Sequence, residues 1–209
     1  MGGGACDTHP ISSAMRKDAN VTDPMRAVLA AAVHVPLLVV LGGLPGTGKT
    51  TVARGLARDL SAVHLRIDTI EEAIRRATDV QGEVQDVGYR VAYALALDNL
   101  RAGHWVIVDA VNPLALTRGA WRAVAEAAEA SVVEIELVCS DQQVHRSRVQ
   151  DRVADIPGAT LPTWDEVVAR RYEPWEPEPV RIDTATATAA ESVRQALTAI
   201  MRAGVDGPT

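Results

Sequence analysis

The octet Gly43-Leu44-Pro45-Gly46-Thr47-Gly48-Lys49-Thr50 satisfies G-x-x-x-x-G-K-[ST] in full, and its flanks leave few folds open. Ahead of it, Leu37-Leu38-Val39-Val40-Leu41 has the length and apolar run of a buried strand. Behind it, Val52 to Leu60 carries apolar residues at helical spacing. Strand, glycine loop and helix in that order make a phosphate cradle. The glycines let successive N–H groups converge on an anion, at a helix N-terminus whose dipole is already positive. Lys49 can reach β- and γ-phosphates, and the Thr50 hydroxyl can enter the shell of a Mg²⁺ ion. ATP and Mg²⁺ are therefore expected, with Gly43, Leu44, Pro45, Gly46, Thr47, Gly48, Lys49, Thr50 and Thr51 as the nucleotide-binding residues.

From Leu37 onward, apolar runs alternate with helical periods, the pattern of an α/β domain with a parallel sheet. Strands are predicted near 37–42, 63–67, 104–109, 132–138 and 179–183. Helices are predicted near 48–60, 69–78, 84–102, 114–130, 141–154, 164–172 and 189–203. The expected fold is a three-layer α/β/α P-loop NTPase with five parallel strands and a helical lid at about 141–178, within a domain spanning 37–203. Residues 1–23 read as a disordered leader, 24–35 as a short outer helix and 204–209 as a tail. Two proline-rich stretches, Ile156–Pro162 and Tyr172–Pro179, interrupt the pattern and are expected to be the mobile joints of the lid. Between them Thr163 can cap a short helix, with Asp165 and Glu166 in its first turn.

Composition narrows the partners. A net charge of −6 argues against a general polyanion-binding surface. Lys17 and Lys49 are the only lysines, which leaves Lys49 as the lysine for a phosphate site. Cys6 and Cys139 are too few for a metal cluster or a disulfide framework, and fit a reducing cytoplasm. Ala27–Val33 after Arg26 resembles a secretory signal, but His34 and Pro36 interrupt it and Leu37–Leu41 is needed as the first strand. No membrane partner is expected.

Asp68 closes the second predicted strand, and the C-terminal strand ends of an open parallel sheet face the ligand. It is a candidate general base at an acceptor hydroxyl, or the cap of a helix starting at Thr69, or both. Asp109 ends the apolar run Trp105–Val108, the layout of a carboxylate holding Mg²⁺ opposite Thr50; the alternative is a turn residue. Asn112 can cap the next helix or touch the acceptor. Arg146, Arg148 and Arg152 stand in the first lid helix, where arginines can meet the charge that develops on a transferring phosphoryl group; a solvated face is the alternative. Arg75, Arg76, Arg90 and Arg118 are weaker candidates for acceptor contacts. Trp164 and Trp175 can pack the lid or stack on a base, with packing favoured.

Gly43–Thr51, the segment Arg66–Thr69, Val108–Pro113 with Arg118 downstream, and His145–Arg148 together resemble the AAA_33-type P-loop kinases. The kinase domains of polynucleotide kinases are the nearer likeness; gluconate kinase, chloramphenicol phosphotransferase and zeta toxins are more distant. The resemblance spans about Leu37 to Ile200. It implies that Asp68 is the base at the acceptor hydroxyl, that Asp109–Pro113 corresponds to the family's D-N-T-N-P segment, and that the lid arginines contact phosphate. Ala110 and Val111 replace polar residues of that segment.

The reading is an ATP-dependent kinase with a small-molecule hydroxyl acceptor such as a nucleoside, sugar or antibiotic. Lys49, Asp68, Arg146, Arg148 and Arg152 are its catalytic candidates, Thr50 and Asp109 its metal ligands, and Asp68, Asn112 and Arg118 its acceptor contacts. One rival is a polynucleotide 5′-hydroxyl kinase, which needs a groove lined by Arg75, Arg76 and Arg90. Another is a nucleotide-dependent switch acting through a protein partner; no N-K-x-D base-reading motif is present, and Asp155-Ile156-Pro157-Gly158 lies too far downstream for the switch D-x-x-G.

Overall fold

The computed structural model describes residues 35–77 and 85–205. The expected leader and outer helix, and the last four residues of the tail, lie outside the described residues. Five strands, β1 (Leu37–Gly42), β2 (Val63–Arg66), β3 (Val106–Asp109), β4 (Ser131–Val138) and β5 (Val180–Asp183), form one parallel sheet in the order β2-β3-β1-β4-β5. The helices are α1 (Lys49–Leu60), α2 (Ile67–Ala77), α3 (Gln85–Arg101), α4 (Ala115–Ala127), α5 (Gln142–Gln150), α6 (Trp164–Val168) and α7 (Ala189–Val205).

Every residue of β1 is buried, as a central strand covered on both faces requires. Its alternate side chains feed two cores. Leu37, Val39 and Leu41 pack with Val52 and Leu56 of α1 and with Leu197 and Ile200 of α7. Leu38 and Val40 pack with Ala92, Ala96 and Leu100 of α3 and with Trp121 of α4. That is the three-layer arrangement. The order in the sheet places β1 between β3 and β4, so the loop after β1 opens at the crevice above the sheet, where ligands of such folds bind.

Three boundaries depart from the expectation with consequences for function. α5 ends at Gln150 instead of near 154, so Arg152 does not share its helix with Arg146 and Arg148 but lies in the loop beyond it. β2 ends at Arg66 and α2 starts at Ile67 with no intervening turn, so Asp68 sits inside the first helical turn. It is not the cap of a helix beginning at Thr69. Asn112 does not cap α4 either: Leu114 holds that position, and Asn112 adopts a left-handed backbone with φ 50°. In contrast Thr163 caps α6 through a full capping box with Glu166. The helix it begins is shorter than expected, ending at Val168.

Of the two proline-rich stretches, the second packs onto the body of the domain. Trp175 is buried against Gly42, where a Cβ would overlap the indole, and its Nε1 donates to the Tyr172 hydroxyl at 2.8 Å. The Glu173 amide donates to the Pro113 carbonyl, and the Glu173 carboxylate accepts from the Ala115 amide at 2.8 Å, satisfying the exposed start of α4. Arg118 closes the clasp: it donates to the Pro174 carbonyl and lies 4.7 Å over the Trp175 ring. Residues 172–176 are riveted to the body of the domain.

Candidate active site

The turn 43–48 reverses the chain from β1 into α1, with Gly48 at φ 89° as the helix N-cap, a conformation that favours glycine. The loop is braced from three sides. Gly43 N–H donates to the Val111 carbonyl at 3.1 Å. His145 of α5 donates from Nε2 to the Pro45 carbonyl at 2.8 Å, and Thr184 donates to the Thr47 carbonyl at 3.1 Å. Lys49 Nζ donates to the Leu44 carbonyl at 2.8 Å, curled over the loop it serves. Burial presses its ammonium down to about 8; the carboxylates of Asp109 and Asp68 pull the other way, and Arg152 and Arg170 add to the depression.

Beyond the loop a cleft of about 1190 Å³ runs between the strand ends and the segment that joins β4 to β5. Lys49, Thr50, Asp68, Asp109, Arg148 and Arg152 all line it. Asp109, the last residue of β3, is 3% exposed, and its Oδ2 has no hydrogen-bond partner; His64 Nε2 stands 3.5 Å away, a polar contact short of a full bond. Burial alone would push this carboxyl up. The His64 contact, the Lys49 charge and the Thr50 hydroxyl outweigh it, and the group is held below its ordinary value. Asp68 is half-exposed and reaches Arg66 Nη2 at 3.7 Å.

Other expected site residues go elsewhere. Asn112 is fully buried, its amide nitrogen donating to the Leu41 carbonyl at 2.8 Å and its amide oxygen accepting from Trp121 Nε1 at 2.9 Å. Arg118 is buried with it and donates to the Asn112 carbonyl at 3.0 Å. Both fix the β3–α4 connection and the Trp175 clasp, and neither lines the cleft. Trp164 packs edge-on against His145, and Trp175 is core. Arg148 reaches the cleft, but both terminal nitrogens donate to Thr184, each at 2.9 Å. Arg146 is exposed on α5 and does not line the cleft. Arg152 does, with Asp155 as its nearest carboxylate at 4.0 Å.

Several cleft residues escaped the sequence reading, Glu71, Arg66 and Arg170 among them. Glu71 lies one turn beyond Asp68 on α2; burial, then the Asp68 charge, raises its carboxyl to about 7. The i, i+3 spacing from Asp68 is the signal that could have found it. Arg66, 6% exposed at the end of β2, is bonded in two places to Asp155. Arg170 lines the cleft, while its neighbour Arg171 pairs outside it with Glu173 at 2.6 Å, a difference no spacing announces.

The AAA_33 family model, an AAA domain, matches residues 38–174. The chain belongs to that family. The uncharacterised protein Rv2004c of Mycobacterium tuberculosis is 30% identical over 180 residues, covering 78% of this chain and 35% of its own length. The chain thus spans about a third of the curated relatives it matches. Among solved structures it is similar to Mycobacterium tuberculosis APS kinase CysC in complex with AMPPNP and APS, with TM-score 0.63 and 22% identity, covering 80% of this chain and 98% of that one. A gluconokinase from Sinorhizobium meliloti 1021 gives TM-score 0.58 at 21% identity, over 82% and 95%. Kti12 from Chaetomium thermophilum with ADP-AlF3 gives 0.59 at 21%, over 79% and 98%. The fold of this AAA_33 member is that of P-loop kinases. No helix among its described residues is long and apolar enough to cross a membrane.

Proposed function

We propose that the protein is an ATP-dependent kinase that phosphorylates a hydroxyl of a small molecule. The observation that carries this reading is the meeting of Lys49, Thr50, Asp68, Asp109 and Arg152 on one cleft, with a phosphate loop at one end and carboxylates at the other. The triphosphate lies along residues 43–51, where backbone N–H groups and Lys49 hold its β- and γ-oxygens. The orphaned, buried Oδ2 of Asp109 beside the Thr50 hydroxyl fits a hard divalent cation, which takes few protein ligands when phosphates supply the rest. Such a Mg²⁺ ion, held by Thr50 and Asp109, would neutralise charge on the phosphate oxygens.

Asp68 takes the proton of the acceptor hydroxyl as its oxygen forms the new bond to the γ-phosphorus and the bond to the β,γ-bridging oxygen breaks. Arg152, with Arg170, meets the charge that spreads over the transferring group. Arg148, spent on Thr184, positions the loop through Thr47.

The acceptor end favours a small, uncharged or cationic compound with an apolar body. Asp68, Glu71 and Asp86 face it together with Tyr89, Tyr93, Val111 and Pro113. Of the arginines a polynucleotide would need, Arg75 and Arg76 are both paired with Glu72, and Arg76 and Arg90 do not line the cleft. A polyanion would meet mainly carboxylates there. The test is incubation of the protein with Mg·ATP and a panel of nucleosides, sugars, aminoglycosides and a 5′-hydroxyl oligonucleotide, followed by mass spectrometry. A gain of one phosphoryl group on a small hydroxyl compound supports the reading. Phosphorylation of the oligonucleotide alone, or release of inorganic phosphate alone, overturns it.

A further inference from the structure

The loop between α5 and α6 does not hang free. Asp155 reaches across the mouth of the cleft to the far edge strand, accepting from Arg66 Nη1 at 2.8 Å and Nη2 at 3.0 Å, and from Arg54 Nη2 at 2.7 Å. Arg54 belongs to α1 and Arg66 to β2, so one carboxylate ties the loop to two elements 89 or more residues away in sequence. These bonds, those from Arg66 foremost, hold the Asp155 carboxyl well below the usual carboxylate range.

Arg66 has other suitors. Its Nη2 lies 3.7 Å from Asp68 and its Nε 3.9 Å from Asp109, and that Nε has no hydrogen-bond partner. Three carboxylates surround one buried guanidinium, and Asp155 holds it by a fork that fixes its plane. We propose that Asp155 latches the 151–162 loop across the cleft, and that the latch keeps Arg66 off Asp68 and Asp109. When the loop lifts, Asp155 leaves with it. Arg66, rooted in the sheet, cannot follow, and a small rotation brings its free donors onto the two remaining acids. The Asp68 oxygens are then occupied by guanidinium protons instead of the acceptor hydroxyl, and Asp109 is engaged away from Thr50. Asp155 is a positioning residue: it makes the closed loop a condition for chemistry and keeps an open cleft from consuming ATP. The roles given to Asp68 and Asp109 rest on the kinase reading; the latch itself rests on the Asp155 contacts.

The test uses the full chain with Cys6 and Cys139 changed to Ser and spin labels at Val153→Cys and Leu116→Cys, both highly exposed positions. Asp155→Asn, at a half-exposed site, is expected to lengthen and broaden the label distance, and Asp155→Glu to restore it. An unchanged distance in Asp155→Asn overturns the latch whether or not the protein is a kinase. The second readout is consumption of Mg·ATP, with the acceptor found in the panel or with water. Asp155→Asn is expected to lower turnover by roughly tenfold or more while AMPPNP affinity holds, as for loss of alignment at a reacting centre. Adding Arg66→Gln to Asp155→Asn is expected to recover part of that loss, since the misplaced charge is gone. A double variant no faster than Asp155→Asn overturns the role assigned to Arg66, and a parent that binds no AMPPNP overturns the kinase reading alone.

Discussion

Lys49 carries its charge in a place that resists it until a phosphate arrives. With its ammonium pressed down to about 8 by burial, half of the free protein at pH 8 lacks that proton. Phosphate oxygens restore the preference for the charged form, so binding pulls a proton from solution. AMPPNP binding is expected to take up about half a proton at pH 8 and more at pH 9, with affinity falling as pH rises past 8. Calorimetry in buffers of different ionisation heat measures this, and the same uptake in Lys49→Ala would assign it to another group. Glu71 works in the opposite sense. Its carboxyl is raised from 4.5 to about 7, so the stability it confers is full below 4.5 and is lost as pH climbs through 7. Glu71→Gln lacks the penalty of an ionised carboxylate, and its Tm is expected to exceed the parent's at pH 8 but not at pH 4.5. An equal Tm difference at both pH values would show that Glu71 is not strained by ionisation.

Among the elements, the β3–α4 connection and the Trp175 clasp explain why two residues of the family-like segment lie outside the lining of the cleft. Asn112 and Arg118 satisfy backbone carbonyls from three places: Leu41 near the end of β1, Asn112 itself in the β3–α4 connection, and Pro174 in the clasp. Arg118→Ala is expected to destabilise the fold by about 1–3 kcal/mol, the usual consequence of orphaning buried polar groups, with acceptor KM unchanged. Urea unfolding and acceptor titration separate the two effects; a raised KM at unchanged stability would return Arg118 to the acceptor. β1 and β3 were legible because buried parallel strands read as apolar runs, and the cap at Thr163 because a capping box is local chemistry. The start of α2 was not. Nothing in Ile67-Asp68-Thr69 marks a strand passing directly into a helix, and polar residues after an apolar run resemble a turn. The packing of the second proline-rich stretch was not legible either, because Trp175 lies on Gly42, a contact between residues 133 positions apart.

Among the described residues, the C-terminal edge of the sheet lines the cleft with charged residues, roofed by a segment tied down at two places. Trp175 and Arg118 rivet one, and Asp155 fastens the other to Arg54 and Arg66. The phosphate loop was legible as a motif because its chemistry is contiguous in sequence. The partners of Arg66 were not, because their meeting depends on the β2–β3 pairing and on Asp155, a residue 89 positions away in the α5–α6 loop. In the proposed kinase site, phosphate binding and proton removal are separate tasks of Lys49 and Asp68. The most direct test is to measure AMPPNP affinity and Mg·ATP turnover in parallel for Lys49→Ala and Asp68→Asn. Lys49→Ala is expected to lose both, whereas Asp68→Asn keeps nucleotide affinity and loses turnover by roughly 10²–10⁴-fold, the usual worth of a positioned base. Asp68→Asn with full turnover, or Lys49→Ala with undiminished affinity, would contradict that division of tasks.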